Sequence, residues 1–371
     1  MKSNLNTILR FLSLILPILS LALTSCTRPM TNDSERFTWK ELSDFPEPAG
    51  LKGYYALKTN DGFLAMGGST FPIPKSESGE KTYYDTIYRL RLKADGSAHW
   101  SALDQRLPIP LSEGGSIQIE RGALMIGGLN ANGPIASVRL ARWDEALNRV
   151  VFEDLPDLPI PCFYPATTVF QGSLYVAGGH DGTGGFHRFW RLDLEQDSPV
   201  WEDLPAWPGP ERFGAILETL KQGGRERLYL FSGKSTTTQP RSQDNYLKDV
   251  YSFDPEDQSW EKLGDMPRAT LIGVPGKLNP HTLAIFSGSD GHDIDRLEEI
   301  GKDYRLPNSI LMYSSINDTW IDEDKMPLGV IGVPLLPTKD GFILASGEYS
   351  PALRANTVFH IKVSLQSDSK K

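Results

Sequence analysis

Apolar residues in this chain come in short runs, each ending in a pair of small residues. "GFLAMGG" reaches Gly68, "GALMIGG" Gly128 and "GSLYVAGG" Gly179; "RLYLFSG", "TLAIFSG" and "GFILASG" follow at Gly233, Gly288 and Gly347. The steps between these doublets are 60, 51, 54, 55 and 59 residues. A second signal keeps the same beat: Trp39, Trp100, Trp201 and Trp260 head "WKEL", "WSAL", "WEDL" and "WEKL", with Phe152 and Trp320 in the two remaining places. Between doublet and aromatic lies another apolar stretch, such as "TIYRLRL" or "DVYSFDP". Short segments punctuated by Gly and Pro predict strands, and no stretch sustains a helical period.

Six repeats of this kind resemble the kelch repeat over essentially all of residues 37–366. The resemblance implies an all-β, six-bladed kelch-type β-propeller with one four-stranded sheet per blade. The sixth doublet lacks a following aromatic strand, whereas the first aromatic strand, at Trp39, precedes any doublet. The N-terminal strand around Trp39 is therefore expected to close the last blade, which also removes exposed sheet edges. Doublet glycines are expected where sheets crowd near the axis, and the tryptophans between blades.

Composition adds little to this reading, at 39% hydrophobic and 23% charged residues, but charge and the first residues add more. The net charge of −9 argues against a nucleic-acid partner. Lys2 and Arg10 lead into "FLSLILPILSLAL", a run too short and too broken by Pro17 to span a bilayer comfortably, and typical of an export signal. Leu23-Thr24-Ser25-Cys26 resembles the bacterial lipobox. That implies a signal at 1–25, lipid on Cys26, a tether at 26–36, the propeller at 37–366 and a tail at 367–371. Loss of two cations with the signal would leave −11. Thr27 after the cysteine points to the periplasmic face of the outer membrane. Cys162, the second of two cysteines, is then left without a partner.

Loops after the doublets differ in length. Those of blades one, four and five are long ("STFPIPKSESGEKTYY", "KSTTTQPRSQDN", "SDGHDIDRLEEIGKDYRLP"), and variable loops on a rigid scaffold suit a small-molecule pocket. Blade six places Glu348 directly after its glycine, with Arg354 expected on the same loop past a Pro351 bend. A surface salt bridge and a ligand-facing pair are equally compatible with that spacing. Arg212 and Arg268 sit in connectors leading to inner strands, where each would supply a cation or simply bind loop carbonyls. Glu113 and Tyr164 are candidates by position alone. His180-Asp181 and His292-Asp293 lack metal-ligand spacing and read as loop hydrogen-bonding residues. "GGHDGTGG" lacks the lysine of a phosphate loop.

"GEYSPALRANTVF" resembles the signature of the sialic-acid mutarotases (N-acetylneuraminate epimerases), exported bacterial kelch propellers, with Ser346 where that signature has Asn. In that family the motif comes mid-chain; here the two blades expected after it come first, so the chain resembles a cyclically permuted branch. The resemblance implies that Glu348 and Arg354 are the catalytic pair and that the enzyme is a cofactor-independent isomerase without a metal. Its substrate would be an acidic sugar whose anomers exchange through the open-chain ketone. Glu348 would move protons and Arg354 would hold the substrate carboxylate or developing negative charge. The alternative is a non-catalytic propeller binding glycans or proteins at the cell surface. A copper oxidase on the same scaffold lacks its Tyr, Cys and His ligands.

Overall fold

The computed structural model describes residues 36–364, apart from residues 94 and 240. The signal, Cys26, the tether before Arg36 and the C-terminal tail lie outside the described residues. Each apolar run becomes the second strand of a four-stranded antiparallel sheet, and there are six such sheets. Blade one runs Tyr55–Lys58, Gly62–Met66, Thr86–Leu92 and Ala98–Arg106 from axis to rim. Blades two to five repeat that order, with second strands at Gly122–Asn130, Ser173–Ala177, Arg225–Phe231 and Thr282–Phe286. Blade six is built from both ends of the propeller: Leu336–Pro337, Gly341–Ser350 and Leu353–Val363, then Phe37–Glu41 as its outer strand. Phe37 lies opposite Val363 and Glu41 opposite Phe359, so the strand around Trp39 closes the ring as expected.

The doublets explain themselves once their backbone is seen. Their first residue is left-handed, with φ between +57° and +71°, and is Gly or Ser: Gly67, Gly127, Gly178, Ser232, Ser287 and Ser346. The second lies at φ between +101° and +129°, a region essentially closed to residues with a Cβ, and is always Gly. Where serine takes the first place, its hydroxyl bonds nearby backbone: Ser346 to Leu51 and Ala355, Ser232 to Thr270 and Leu247, and Ser287 to Pro307.

The rim tryptophans join each blade to the one before it. Trp260 packs edge-on to Phe189 of blade three and donates its indole N–H to Pro205 O. Trp320 meets Phe231 of blade four, and Trp39 meets Phe286 of blade five. Aromatic contacts of this geometry add about 0.5–1.5 kcal/mol each beyond the area they bury.

At the axis, the blades are joined by a closed ring of six backbone hydrogen bonds. Gly53 N–H donates to Gly332 O, Gly332 to Ile272, Ile272 to Gly214, Gly214 to Tyr164, Tyr164 to Glu113, and Glu113 back to Gly53, at 2.6–3.3 Å. All six residues are left-handed, with φ between +51° and +74°. Three are glycines; Glu113, Tyr164 and Ile272 hold side chains in a conformation that costs about 1–2 kcal/mol for an L-residue. An axial channel of about 730 Å³ runs along the inner strands on one side of this hub. Glu218 and Lys277 inside it neutralise each other at 3.2 Å.

Candidate active site

On the other side of the hub lies a mouth formed by two further circles of residues. One comprises the residues before the hub: Lys52, Ser112, Phe163, Phe213, Leu271 and Ile331. The other comprises those after the doublets: Ser69, Leu129, His180, Lys234, Ser289 and Glu348. The two circles are stitched pairwise by antiparallel bridges, one per blade. The channel lining includes the hub residues Glu113 and Tyr164 but none of Lys52, Lys81, Glu348 or Arg354. The concentrated charge therefore lies in the mouth.

Glu348 sits in that mouth, but not on the loop anticipated from the sequence. The strands of blade six continue past the doublet to Ser350 and restart at Leu353, so Glu348 and Arg354 are cross-strand partners over a tight turn at Pro351-Ala352. Their side chains meet at 3.0 Å between Glu348 Oε2 and Arg354 Nη2. The other carboxylate oxygen, Oε1, is 3.2 Å from Lys52 Nζ. Glu348 is 9% exposed and the Arg354 side chain 2%, so this is an interior ion pair and not a surface bridge. Arg354 Nε and Nη1 are buried without a hydrogen-bond partner, and the ring of Phe71, from the long loop of blade one, lies 4.9 Å from the guanidinium carbon.

The hub supplies the other half of the site. Glu113 is buried and takes both oxygens to Lys81 Nζ at 2.7 Å, again from the loop of blade one. Burial pushes the Glu113 carboxyl up, but Lys52 and Lys81, with hydrogen bonds from Lys81 and Tyr164, outweigh it and hold its pKa below the ordinary value. Tyr164 donates its phenol to Glu113; burial, then the negative charges of Glu113 and Glu348, push its pKa well up, so it stays protonated. Lys52 Nζ stands 5.3 Å from the centre of the Tyr164 ring. The mouth also has an aromatic side: Phe163 and Phe213 each pack against both Tyr164 and His180. Burial holds the His180 imidazole below its ordinary pKa, and its Nδ1 accepts the Gly182 N–H.

Of the residues singled out from the sequence, Glu348, Arg354, Glu113 and Tyr164 thus gather in one cluster. The two connector arginines do not join it. Arg212 is fully buried in a bidentate pair with Asp249 at 2.7 and 2.8 Å and also donates to Ser232 O. Arg268 binds the carbonyls of Ala269, Ser287, Gly288 and Ser309. Both carry the carbonyl-binding role open to them in the sequence, because the guanidinium forks turn toward doublet backbone. His292 pairs with Asp290 at 2.6 Å, and among the described residues no group of three or more His, Cys, Asp or Glu is arranged to hold a metal.

Lys52 and Lys81 were missed. Lys81 lies deep in an irregular loop, where sequence gives no direction for a side chain. Lys52 had a signal: in the six connectors it occupies the place held elsewhere by Ser112, Phe163, Phe213, Leu271 and Ile331, and is the one charged residue there.

Comparison with known proteins agrees with this architecture. A family model described as N-acetylneuraminate epimerase matches residues 155–297, from the end of blade two into the loop of blade five, so Glu348 and Arg354 lie beyond that match. The N-acetylneuraminate epimerase of Yersinia enterocolitica serotype O:8 is 26% identical over 234 residues, 57% of this chain and 58% of that protein. The Haemophilus influenzae (strain PittEE) protein of the same name is 25% identical over 222 residues, 54% and 56% of the two chains. The chain thus spans less than two thirds of the length of the curated relatives it matches. The solved structure of YjhT superposes with a TM-score of 0.63 at 16% identity, covering 89% of this chain and 98% of that one, which shows a shared fold. With the "GEYSPALR" motif seated in a six-bladed kelch propeller and the match over its middle blades, the chain is similar to the N-acetylneuraminate epimerases.

Proposed function

We propose that this protein is a mutarotase that interconverts the α and β anomers of N-acetylneuraminate or a closely related keto sugar acid. The observation that carries the reading is Glu348, a carboxylate buried beside Arg354 and Lys52 at the mouth of the propeller. Anomer exchange requires the ring to open: the anomeric hydroxyl loses its proton, the C2–O bond of the ring breaks to leave a ketone, and the ring oxygen gains a proton. Rotation and the reverse steps close the other anomer, with no net change in protons or electrons. Glu348 removes the anomeric proton and returns it on closure. Arg354 supports the reading independently, since its unpartnered Nε and Nη1 are donors that a substrate carboxylate would satisfy. A buried donor left unpaired costs about 1–3 kcal/mol, so such an arrangement favours an acceptor that arrives with the ligand.

Charge points the same way. The connected cluster has three cations, Lys52, Lys81 and Arg354, against two carboxylates, Glu113 and Glu348, which suits a monoanion. Lys234 lies at the equivalent position in blade four, although burial disfavours its charge. The aromatic side formed by Phe163, Phe213 and His180 offers an apolar shelf for the remainder of a sugar. A purely binding propeller would be favoured by an outward-facing Glu348, and here the carboxylate is paired inward. Leu23-Thr24-Ser25-Cys26 supports export and lipid anchoring at the periplasmic face of the outer membrane; loss of lipid labelling in Cys26→Ser tests it.

The test of the activity is an NMR time course of freshly released α-N-acetylneuraminate relaxing to its β anomer. Wild-type protein is expected to accelerate it and Glu348→Gln to lose about 10²–10⁴-fold of that acceleration. No acceleration by a folded wild-type protein would reject this substrate.

A further inference from the structure

Ring opening needs a proton donor as well as a base, and Glu348 faces two cations that differ in what they can give. Arg354 offers a guanidinium, a fork of hydrogen-bond donors that does not serve as an acid in proteins. Lys52 is an ammonium on a flexible stem, 6% exposed, and its Nζ is the atom nearest to Glu348 Oε1 among the lysines of the mouth. Its stem is laid across the hub: a Cβ at Gly332 would come within 2.6 and 2.7 Å of Lys52 Cε and Cγ. The hub glycine of blade six is thus the clearing through which Lys52 reaches Glu348. Its ammonium is also drawn toward the face of Tyr164 and the charge of Glu113.

We propose that Lys52 is the proton donor to the ring oxygen, acting beside Glu348 as base; this rests on the mutarotase reading. In the opening step Glu348 takes the proton of the anomeric hydroxyl, the electron pair of that O–H bond forms the ketone, and the pair of the breaking C2–O bond takes a proton from Lys52. The site then holds a neutral Glu348 carboxyl beside a neutral Lys52 amine. Closure on the opposite face of the carbonyl reverses both transfers: the ring hydroxyl returns its proton to Lys52, and Glu348 protonates the new anomeric oxygen. Arg354 keeps the substrate carboxylate oriented, and Tyr164, protonated and bonded to Glu113, fixes the floor under the ammonium. The charged and titratable groups facing Lys52 are therefore Glu348, Glu113 and Tyr164, with Arg354 and Lys81 beyond the two carboxylates.

The experiment separates a proton donor from a positive charge. Lys52→Arg keeps the charge but cannot release a proton, so its KM is expected to stay near wild type while kcat falls about 100-fold or more. Lys52→Ala should lose kcat too, and added ethylammonium should restore part of it whereas tetramethylammonium, charged but without a proton, should not. A Lys52→Arg protein with wild-type kcat overturns the proposal, as does failure of ethylammonium to rescue a folded Lys52→Ala. If wild type itself leaves anomer relaxation unchanged, the mutarotase reading fails and this inference falls with it; with wild type active, those two results sink the inference alone.

Discussion

Gly332→Ala is a small change whose consequences can be worked out in advance. The added methyl meets two penalties. At φ +74° an alanine pays about 1–2 kcal/mol of left-handed strain. The methyl would also overlap the stem of Lys52, and overpacking of this kind costs about 1–3 kcal/mol. The expected destabilisation is therefore about 2–5 kcal/mol. Unfolding entropy of about 2.1 cal/mol/K per residue, over about 330 residues, gives roughly 0.7 kcal/mol/K, so the melting temperature should fall by about 3–7 °C. The second penalty belongs to Lys52 alone. In a Lys52→Ala background the same substitution should cost only the strain, about 1–2 kcal/mol. A four-protein urea-melt cycle reads the difference directly as a coupling energy. Equal costs in both backgrounds would refute the idea that the glycine is a clearing for the lysine. The same variant should show the activity loss of a displaced Lys52 while the hub ring survives, since Ile272 already holds a side chain at the equivalent place.

Arg212→Met strips a buried charge pair from Asp249 and should destabilise by about 3–5 kcal/mol, with the rate per folded molecule unchanged; a specific loss of kcat would return Arg212 to the site. Phe71→Ala uncovers the guanidinium of Arg354, so labelling of that arginine by phenylglyoxal, mapped by mass spectrometry, should accelerate, and an unchanged rate would show that Phe71 is not its cover. Because the folded pKa of Glu113 lies below the unfolded one, its contribution to stability is present above the unfolded value, about 4.3, and is lost as pH falls through the folded value. Urea midpoints followed downward from about pH 5 should drop less steeply in Glu113→Gln than in wild type if that sign is right. Cys162, buried with its thiol pushed up to about 12, should react with a thiol reagent at neutral pH only after unfolding; rapid labelling of the folded protein would contradict its placement.

The fold was legible because its determinants are local and repeated. A glycine with φ above +100° admits no substitute, so the doublets kept their identity in all six blades. The unmatched Trp39 strand was enough to show how the ring closes. The hub was not legible, since it is a set of hydrogen bonds between residues about one blade apart. "LIGVP" in blade five and "VIGVP" in blade six look alike, yet the hub residue is Ile272 in the first and Gly332 in the second, one place out of step. Glu348 and Arg354 stand out by motif, but the Pro351 bend reads as a loop and hides their cross-strand register. Arg212 and Arg268 lay at suitable connectors, and nothing local announces which way a guanidinium will turn.

Blade six takes its outer strand from the beginning of the propeller and its other three from the end. Lys52 comes from the connector just after that beginning, whereas Glu348 and Arg354 come from the final hairpin. The charged cluster therefore lies across the seam of the ring, and no short contiguous stretch of chain contains it. Five folded blades hold neither the Lys52–Glu348 contact nor the Gly53–Gly332 link of the hub. The cluster at this mouth works as an inspection seal, assembled only in a molecule whose circle has been completed.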